Sequence, residues 1–202
     1  SKRLGGGSIT ALPIVETQSG DISSYIPTNI IGITDGQIYL ERELFNSGVR
    51  PAINVGLSVS RVGGKAQNKI VSKLSSKIRL NLSHYKELQI FSQFGTSIDS
   101  RTRNILNEGS KIVETMKQKD TKPLNVLKEE VFLFAIGGGL LAYVEVSDVK
   151  NFLENYYEYI LVYLKSKLTN VQSLDDLTES QIAKILTLSN EYAIKYKAEK
   201  EA

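Results

Sequence analysis

The segment of this chain best suited to chemistry is Ser58-Val59-Ser60-Arg61-Val62-Gly63-Gly64-Lys65. It lies where an apolar, strand-like run ends and a helical pattern begins. In open α/β sheets, ligands bind in the crevice beyond the carboxyl ends of the strands. Glycines there let backbone N–H groups approach a phosphate, and a helix amino end favours an anion. Arg61 adds a permanently charged planar fork suited to phosphate oxygens. The segment is not a P-loop, which requires G-x-x-x-x-G-K-[ST]. Val59 fills the first glycine position, and Ala66 follows Lys65. On spacing alone, a Gly-Gly helix start beside a solvent-exposed arginine is the plainer reading.

Other groups carry less. Gly56-Leu57-Ser58-Val59-Ser60 approaches the nucleophile elbow G-x-S-x-G, but Ser60 replaces the closing glycine. Lys65, Lys69, Lys73 and Lys77 recur every four residues along an expected helix. Such a stripe suits a phosphate backbone, but it equally describes the solvated face of an amphipathic helix. One tyrosine is the only aromatic in residues 65–90, which speaks against nucleic acid. Tyr156, Tyr157, Tyr159 and Tyr163 read as core packing rather than a base-stacking platform. His84 is expected on the surface or at a cap between two helices. Glu129-Glu130 and Asp175-Asp176 are adjacent pairs that do not share a helix face. They read as first-turn acids complementing helix dipoles.

Two kinds of element must position these groups. Residues 1–64 contain short apolar, β-rich runs at 9–17, 30–34, 37–40 and 53–59, with an Asp35-Gly36 turn signal. Near-continuous apolar runs suit strands covered on both faces, as in a parallel α/β sheet. Residues 65–202 read as helical. Ile70, Val71, Leu74 and Ile78 form one stripe, and Ile105, Leu106, Ile112, Val113 and Met116 a second, with Asp99 as N-cap. A third stripe, Val149 to Leu164, follows Ser147. Thr178-Glu179-Ser180-Gln181 fits a capping box ahead of Ile182, Ile185 and Tyr192. The expected fold is therefore α/β plus all-α. The final strands of a parallel-sheet domain occupy residues 1–64, and a C-terminal helical bundle of roughly five to seven helices occupies residues 65–202.

Composition narrows the function classes. The chain has 202 residues, 41% hydrophobic and 23% charged, as globular domains do. Net charge is only +3, with no Cys and one His. Thiolate zinc sites, disulfide scaffolds and histidine-cluster metal sites are excluded, and no metal site is expected. The uncharged run from Val131 to Val144 is too short for the ~20 residues that span a bilayer, and Gly137-Gly138-Gly139 interrupt it. The chain does not begin with Met, which suggests processing or a piece of something longer.

Several motifs together resemble one family. They are Gly5-Gly6-Gly7-Ser8-Ile9-Thr10-Ala11-Leu12-Pro13, Glu16-Thr17-Gln18, Tyr25-Ile26-Pro27-Thr28-Asn29, Ile33-Thr34-Asp35-Gly36-Gln37-Ile38 and the run from Gly48 to Gly63, continuing through Phe94-Gly95 and Met116-Lys117-Gln118-Lys119. This pattern is similar to the alpha subunit of the rotary, proton-translocating F-type ATP synthase. It covers roughly the C-terminal two-fifths of that subunit and thins after residue 145. Arg50-Pro51-Ala52-Ile53-Asn54 resembles alpha rather than the catalytic beta subunit.

The resemblance implies a P-loop NTPase-like nucleotide-binding domain ahead of the helical domain. It implies that Arg61 is an arginine finger, acting in trans on phosphates held by beta; such fingers contribute about 10³–10⁵ in rate. It implies that Arg50 and Pro51 line an adenine pocket at alpha's own non-catalytic site, with Gln118 one of its glutamines. The expected cofactors are ATP or ADP with Mg²⁺, held mainly outside this chain. Expected partners are the beta subunits, the remaining N-terminal part of alpha, a gamma-type rotor and the peripheral stalk. Nucleic acid is not expected, and membrane contact comes only through the complex. The expected location is the mitochondrial inner membrane, matrix side, with the bacterial cytoplasmic membrane or plastid thylakoid as alternatives.

Three departures stand out. Gly32 replaces a usual serine near the catalytic phosphate. Asp120 replaces a second glutamine of the adenine pocket, and a carboxylate cannot donate as an amide can. Gly137-Gly138 replace a charged pair, which should soften that helix by about 1 kcal/mol per glycine. No P-loop or Walker-B-type strand end is in the sequence, so this chain alone is expected to be inactive. It is expected to be a naturally split subunit, a cleavage product or part of a longer subunit. The rival reading is a non-catalytic piece that completes an alpha-like subunit. A basic RNA-binding helix, resting only on the Lys65–Lys77 stripe, is a third.

Overall fold

Two short strands and eight helices carry the chain in the computed structural model, which describes residues 2–92, 99–167 and 171–201. The Phe94-Gly95 pair of the family motif lies outside the described residues. The helices are α1 (Tyr25–Ile33), α2 (Arg42–Asn46), α3 (Gly63–Ala66), α4 (Lys69–Ser92), α5 (Ser100–Met116), α6 (Val126–Gly137), α7 (Val149–Lys167) and α8 (Glu179–Glu201). The strands are β1 (Gly36–Gln37) and β2 (Val59–Ser60).

The parallel sheet expected over residues 1–64 is not what the described residues form. β1 and β2 pair antiparallel, with Gly36 opposite Ser60 and Gln37 opposite Val59, and an antiparallel bridge joins Leu40 to Ile53. A parallel strand needs a neighbour delivered by a crossover, and this stretch supplies none. Residues 9–17 lie in no strand or helix, with Ile9 and Ile14 almost fully exposed. The Ile30–Thr34 run, expected as a strand, is instead the end of α1 and its C-cap. Thr34 closes that helix twice, its N–H and its hydroxyl both donating to the Ile30 carbonyl.

The helical expectation holds from α4 onward. Asp99 caps α5 by accepting the Thr102 N–H at 2.7 Å. Thr178 and Gln181 exchange bonds at the start of α8: the Thr178 N–H donates to Gln181 Oε1 at 2.8 Å, and the Gln181 N–H to Thr178 Oγ1 at 3.4 Å. The main core gathers Val131 and Ala135 of α6, Val149, Phe152, Leu153, Tyr156 and Ile160 of α7, and Ile185 of α8, all essentially inaccessible to water. Burying such side chains contributes about 1.5–3 kcal/mol each. A smaller cluster of Ile78, Leu82 and Ile112 joins α4 to α5.

Tyr156 and Tyr157 are buried and Tyr163 packs against the core as expected, whereas Tyr159 is exposed, its ring tilted against Tyr192 on the surface. Tyr156 is fully buried, and burial pushes its hydroxyl up to about 12 despite a 2.7 Å bond to Ser189. Ser189 spends its own proton on the Ile185 carbonyl, so Tyr156 is the donor. Gly137 ends α6 rather than softening its interior; Gly138 caps it, and Gly139 follows in the left-handed region at φ 72°. Gly137 also admits Leu74 of α4, which a Cβ there would meet at 2.5 Å.

Three sequence expectations change. His84 lies inside α4, exposed, and not between two helices. Lys65 belongs to α3, so the lysine stripe on α4 is Lys69, Lys73 and Lys77. Glu130 is not a first-turn surface acid but is wholly buried. Asn68 Nδ2 and Ser173 Oγ donate to its Oε1 at 2.5 and 2.8 Å, and the Leu174 N–H donates to Oε2 at 2.6 Å. Next door, Asp175 receives the free N–H groups of Lys69 and Ile70, at 2.6 and 3.2 Å, and so caps α4. Among the described residues no helix is long and apolar enough to cross a membrane.

Candidate functional site

Two separate places hold the candidate residues. The first is the end of β2. Here the Arg61 N–H donates to the Asp35 carbonyl at 2.8 Å, extending the β1–β2 pairing by one residue. The pairing depends on Gly36, at φ 147°, because a Cβ there would sit 2.2 Å from the Val59 carbonyl oxygen. The backbone leading into β2 is clamped. Buried Asn54 accepts the Gly56 and Leu57 N–H groups on its side-chain oxygen, at 3.0 and 3.1 Å. Arg79 of α4 donates to the carbonyls of Val55 and Ser58, at 3.0 and 2.7 Å. Beyond Arg61, Ser60 Oγ accepts the Gly63 N–H at 2.9 Å and turns the chain into α3.

Against this fixed backbone, the Arg61 side chain is exposed and makes no hydrogen bond or ion pair with a described residue. An arginine on a rigid support with five unused donors can grip an oxyanion bidentately. Gly32, four residues before Gly36, is exposed on α1, and a Cβ added there would meet nothing within 4 Å. A serine would fit there without steric cost.

The second place is an open cleft of about 610 Å³ lined by α2, the Arg50–Ala52 segment and the loop after α5. Arg50, Pro51 and Gln118 all line it, and so does Asp120; Arg61 does not. The Gln118 N–H donates to the Arg50 carbonyl at 2.8 Å and holds the two walls together. The Arg50–Pro51 peptide is cis. Arg50 lays its guanidinium over the Phe45 ring, 4.4 Å from the centroid, giving a flat wall suited to a planar ligand.

Sequence reasoning missed Asn54, Arg79 and Phe45. Asn54-Val55-Gly56 is a recognisable side-chain-to-backbone turn signal. Nothing in the sequence pairs Arg79 with carbonyls 24 and 21 positions earlier, or marks Phe45 as the ring under Arg50. Among the described residues, no group of three or more His, Asp or Glu side chains is arranged to hold a metal ion.

Two family models cover nearly all of this architecture. The nucleotide-binding domain of the ATP synthase alpha/beta family matches residues 1–60, and the C-terminal domain of the ATP synthase alpha/beta chain matches residues 67–192. The protein belongs to the ATP synthase alpha/beta family. Within that family, it is 47% identical over 201 residues to an ATP synthase subunit alpha from Caldanaerobacter subterraneus subsp. tengcongensis, covering 100% of this chain and 40% of the relative. An ATP synthase subunit alpha from Lawsonia intracellularis is 46% identical over 190 residues, covering 93% of this chain and 38% of the relative. One from Streptococcus pyogenes is 51% identical over 179 residues, covering 89% and 36%. The chain thus spans about two-fifths of the length of these curated relatives. The alpha/beta-family matches bracket the β2–α3 turn, so Arg61 lies just beyond the nucleotide-binding match and the cleft is shared between the two matched regions.

Proposed function

We propose that this chain is the C-terminal portion of an ATP synthase alpha subunit in the catalytic head of the rotary, proton-translocating enzyme. Arg61 is its contribution to chemistry. The side chain reaches across an interface to phosphates bound by a beta subunit and neutralises charge on the transferring phosphoryl group. The observation that carries this reading is the pairing of a fixed backbone with a free guanidinium: Asp35, Asn54 and Arg79 hold the loop, while Arg61 itself has no partner among the described residues. The cleft holding Arg50, Pro51 and Gln118 is proposed as the base pocket of the subunit's own nucleotide, ATP or ADP with Mg²⁺. The metal and most phosphate contacts come from parts of the complex outside this chain.

The partners follow from that role: beta subunits, the N-terminal part of alpha, a gamma-type rotor and a peripheral stalk. The chain alone would not turn over ATP. The complex would stand at an energy-transducing membrane. The three relatives named above are bacterial, which favours the cytoplasmic face of a bacterial membrane over the mitochondrial placement expected from the sequence.

The test is Arg61→Ala in the native assembly. Assembly should persist while multisite ATP turnover falls by about 10³ or more. Normal turnover would remove the role. A second reading, a non-catalytic piece completing an alpha-like subunit, is favoured by Gly32 and Asp120. It predicts an assembly whose turnover ignores Arg61→Ala and is unaltered by Gly32→Ser.

A further inference from the structure

The turn that delivers β2 is fixed from within. Ser58 donates both its N–H and its hydroxyl to the Asn54 carbonyl, at 3.0 and 2.7 Å, and its Oγ accepts the Tyr39 N–H at 3.0 Å. Asn54 Oδ1 gathers the Gly56 and Leu57 N–H groups, while Asn54 Nδ2 donates to Glu41 of the cleft at 2.8 Å. A segment bonded this way moves as one piece, and β1 travels with it through the Asp35–Arg61 and Gly36–Ser60 pairing. Arg61 stands three residues beyond Ser58. Its reach is therefore set by whatever ties this piece to the helical half of the chain.

That tie comes from α4. Ile78 is buried with Leu82 and Ile112, and Val55 packs against the same cluster. The next residue, Arg79, starts from this anchored position and donates to the Val55 and Ser58 carbonyls, at 3.0 and 2.7 Å. Both bonds leave one nitrogen, Nη2, so the guanidinium serves as a hook with two protons and not as a fork. Hydrogen bonds from an ionised donor are about twice as strong as neutral ones. Close-packed interiors transmit displacement instead of absorbing it. A tilt of α4 is thus carried by Ile78 and Arg79 to the Ser58 carbonyl, and along β2 to Arg61.

We propose that Arg79 is a positioning residue for phosphoryl transfer: by holding the Ser58 carbonyl it sets the reach of Arg61 and makes that reach depend on the placement of α4. The inference rests on the reading of Arg61 as acting on phosphate across an interface.

The test uses the native assembly carrying Arg79→Met, which keeps an apolar stem without donors, or Arg79→Lys, whose single ammonium can serve both carbonyls. In Arg79→Met, ATP turnover per assembled complex should fall about tenfold or more, with KM for ATP within about twofold of the parent. Arg79→Lys should recover most of the loss. In an Arg61→Ala background, Arg79→Met should lower turnover no further, because the two residues act as a unit. The positioning role is overturned by equal losses in both backgrounds, by parent turnover in Arg79→Met, or by an Arg79→Lys variant as slow as Arg79→Met. Poorer assembly with unchanged turnover per complex would make Arg79 a staple between the two halves and overturn it too. All four results leave the role of Arg61 intact. Parent turnover in Arg61→Ala alone removes the reading of Arg61, and this inference with it.

Discussion

The backbone N–H of Arg61 donates to the Asp35 carbonyl at 2.8 Å, so strand pairing, and not its own side chain, fixes where the arginine stands. The ladder continues through Gly36 opposite Ser60 and ends at Gln37 opposite Val59. Damage to this pairing should therefore reach the arginine without touching it.

Gly36→Ala is the direct way to cause that damage. The new Cβ would fall 2.2 Å from the Val59 carbonyl oxygen, on a backbone at φ 147° that only glycine adopts easily. If Arg61 acts on phosphate as proposed, displacing it by about 1 Å costs about 10²-fold in rate. ATP turnover of the native assembly carrying Gly36→Ala should fall by at least that factor, with Arg61 unchanged. Turnover within twofold of the parent would show that Arg61 does not depend on the pairing.

Glu130→Gln tests the buried carboxylate. Its two oxygens accept three hydrogen bonds from Asn68, Ser173 and Leu174. A glutamine replaces one acceptor by a donor and sets it against another donor. The expected loss is about 2–3 kcal/mol, read as a lower denaturation midpoint. An unchanged midpoint would mean the network contributes nothing net.

Glu114 gives a pH dependence. Burial alone would raise its pKa, but Lys117 Nζ at 2.6 Å and Lys150 Nζ at 3.2 Å outweigh burial and hold it below its ordinary value of 4.5. A lowered folded value means that the unfolded chain takes up the proton first as pH falls. The stabilisation is complete above pH 4.5 and is lost as pH drops through the folded value below it. Unfolding curves between pH 6 and pH 3, on the order of one measurement per half unit, should show a slope that Glu114→Gln reduces. Parallel curves for both proteins would refute it.

Gly109→Ala probes the close approach of α4 and α5. A Cβ on Gly109 would lie 2.3 Å from the Tyr85 ring. Overpacking of this kind costs about 1–3 kcal/mol, more than the roughly 1 kcal/mol that alanine returns in helix propensity. The single variant should be destabilised, and adding Tyr85→Ala should restore part of the loss. Full additivity of the two changes would argue against direct contact.

The helical half was largely legible because its signals are local. The stripes on α5 and α7, the Asp99 cap and the Thr178–Gln181 box all operate within a few residues. The first half was not, because strands depend on partners that local pattern does not report. Ile30-Ile31-Gly32-Ile33 has the apolar run of a buried strand, yet it completes a helical turn that Thr34 closes. Glu130 misled for the same reason: its hydrogen-bond donors, Asn68 and Ser173, are far away in sequence. In the cleft, Arg50, Pro51 and Gln118 were named through family resemblance. Phe45 and the engagement of Glu41 by Asn54 required coordinates.

The cap on α4 has a consequence in time. Lys69 finds its acceptor in Asp175, 106 positions later. A ribosome adding about 5–20 residues per second makes that stretch in about 5–20 s. During that interval the amino end of α4 waits without the carboxylate that caps it in the folded chain, so the first half is made long before this helix is anchored to the segment that follows α7.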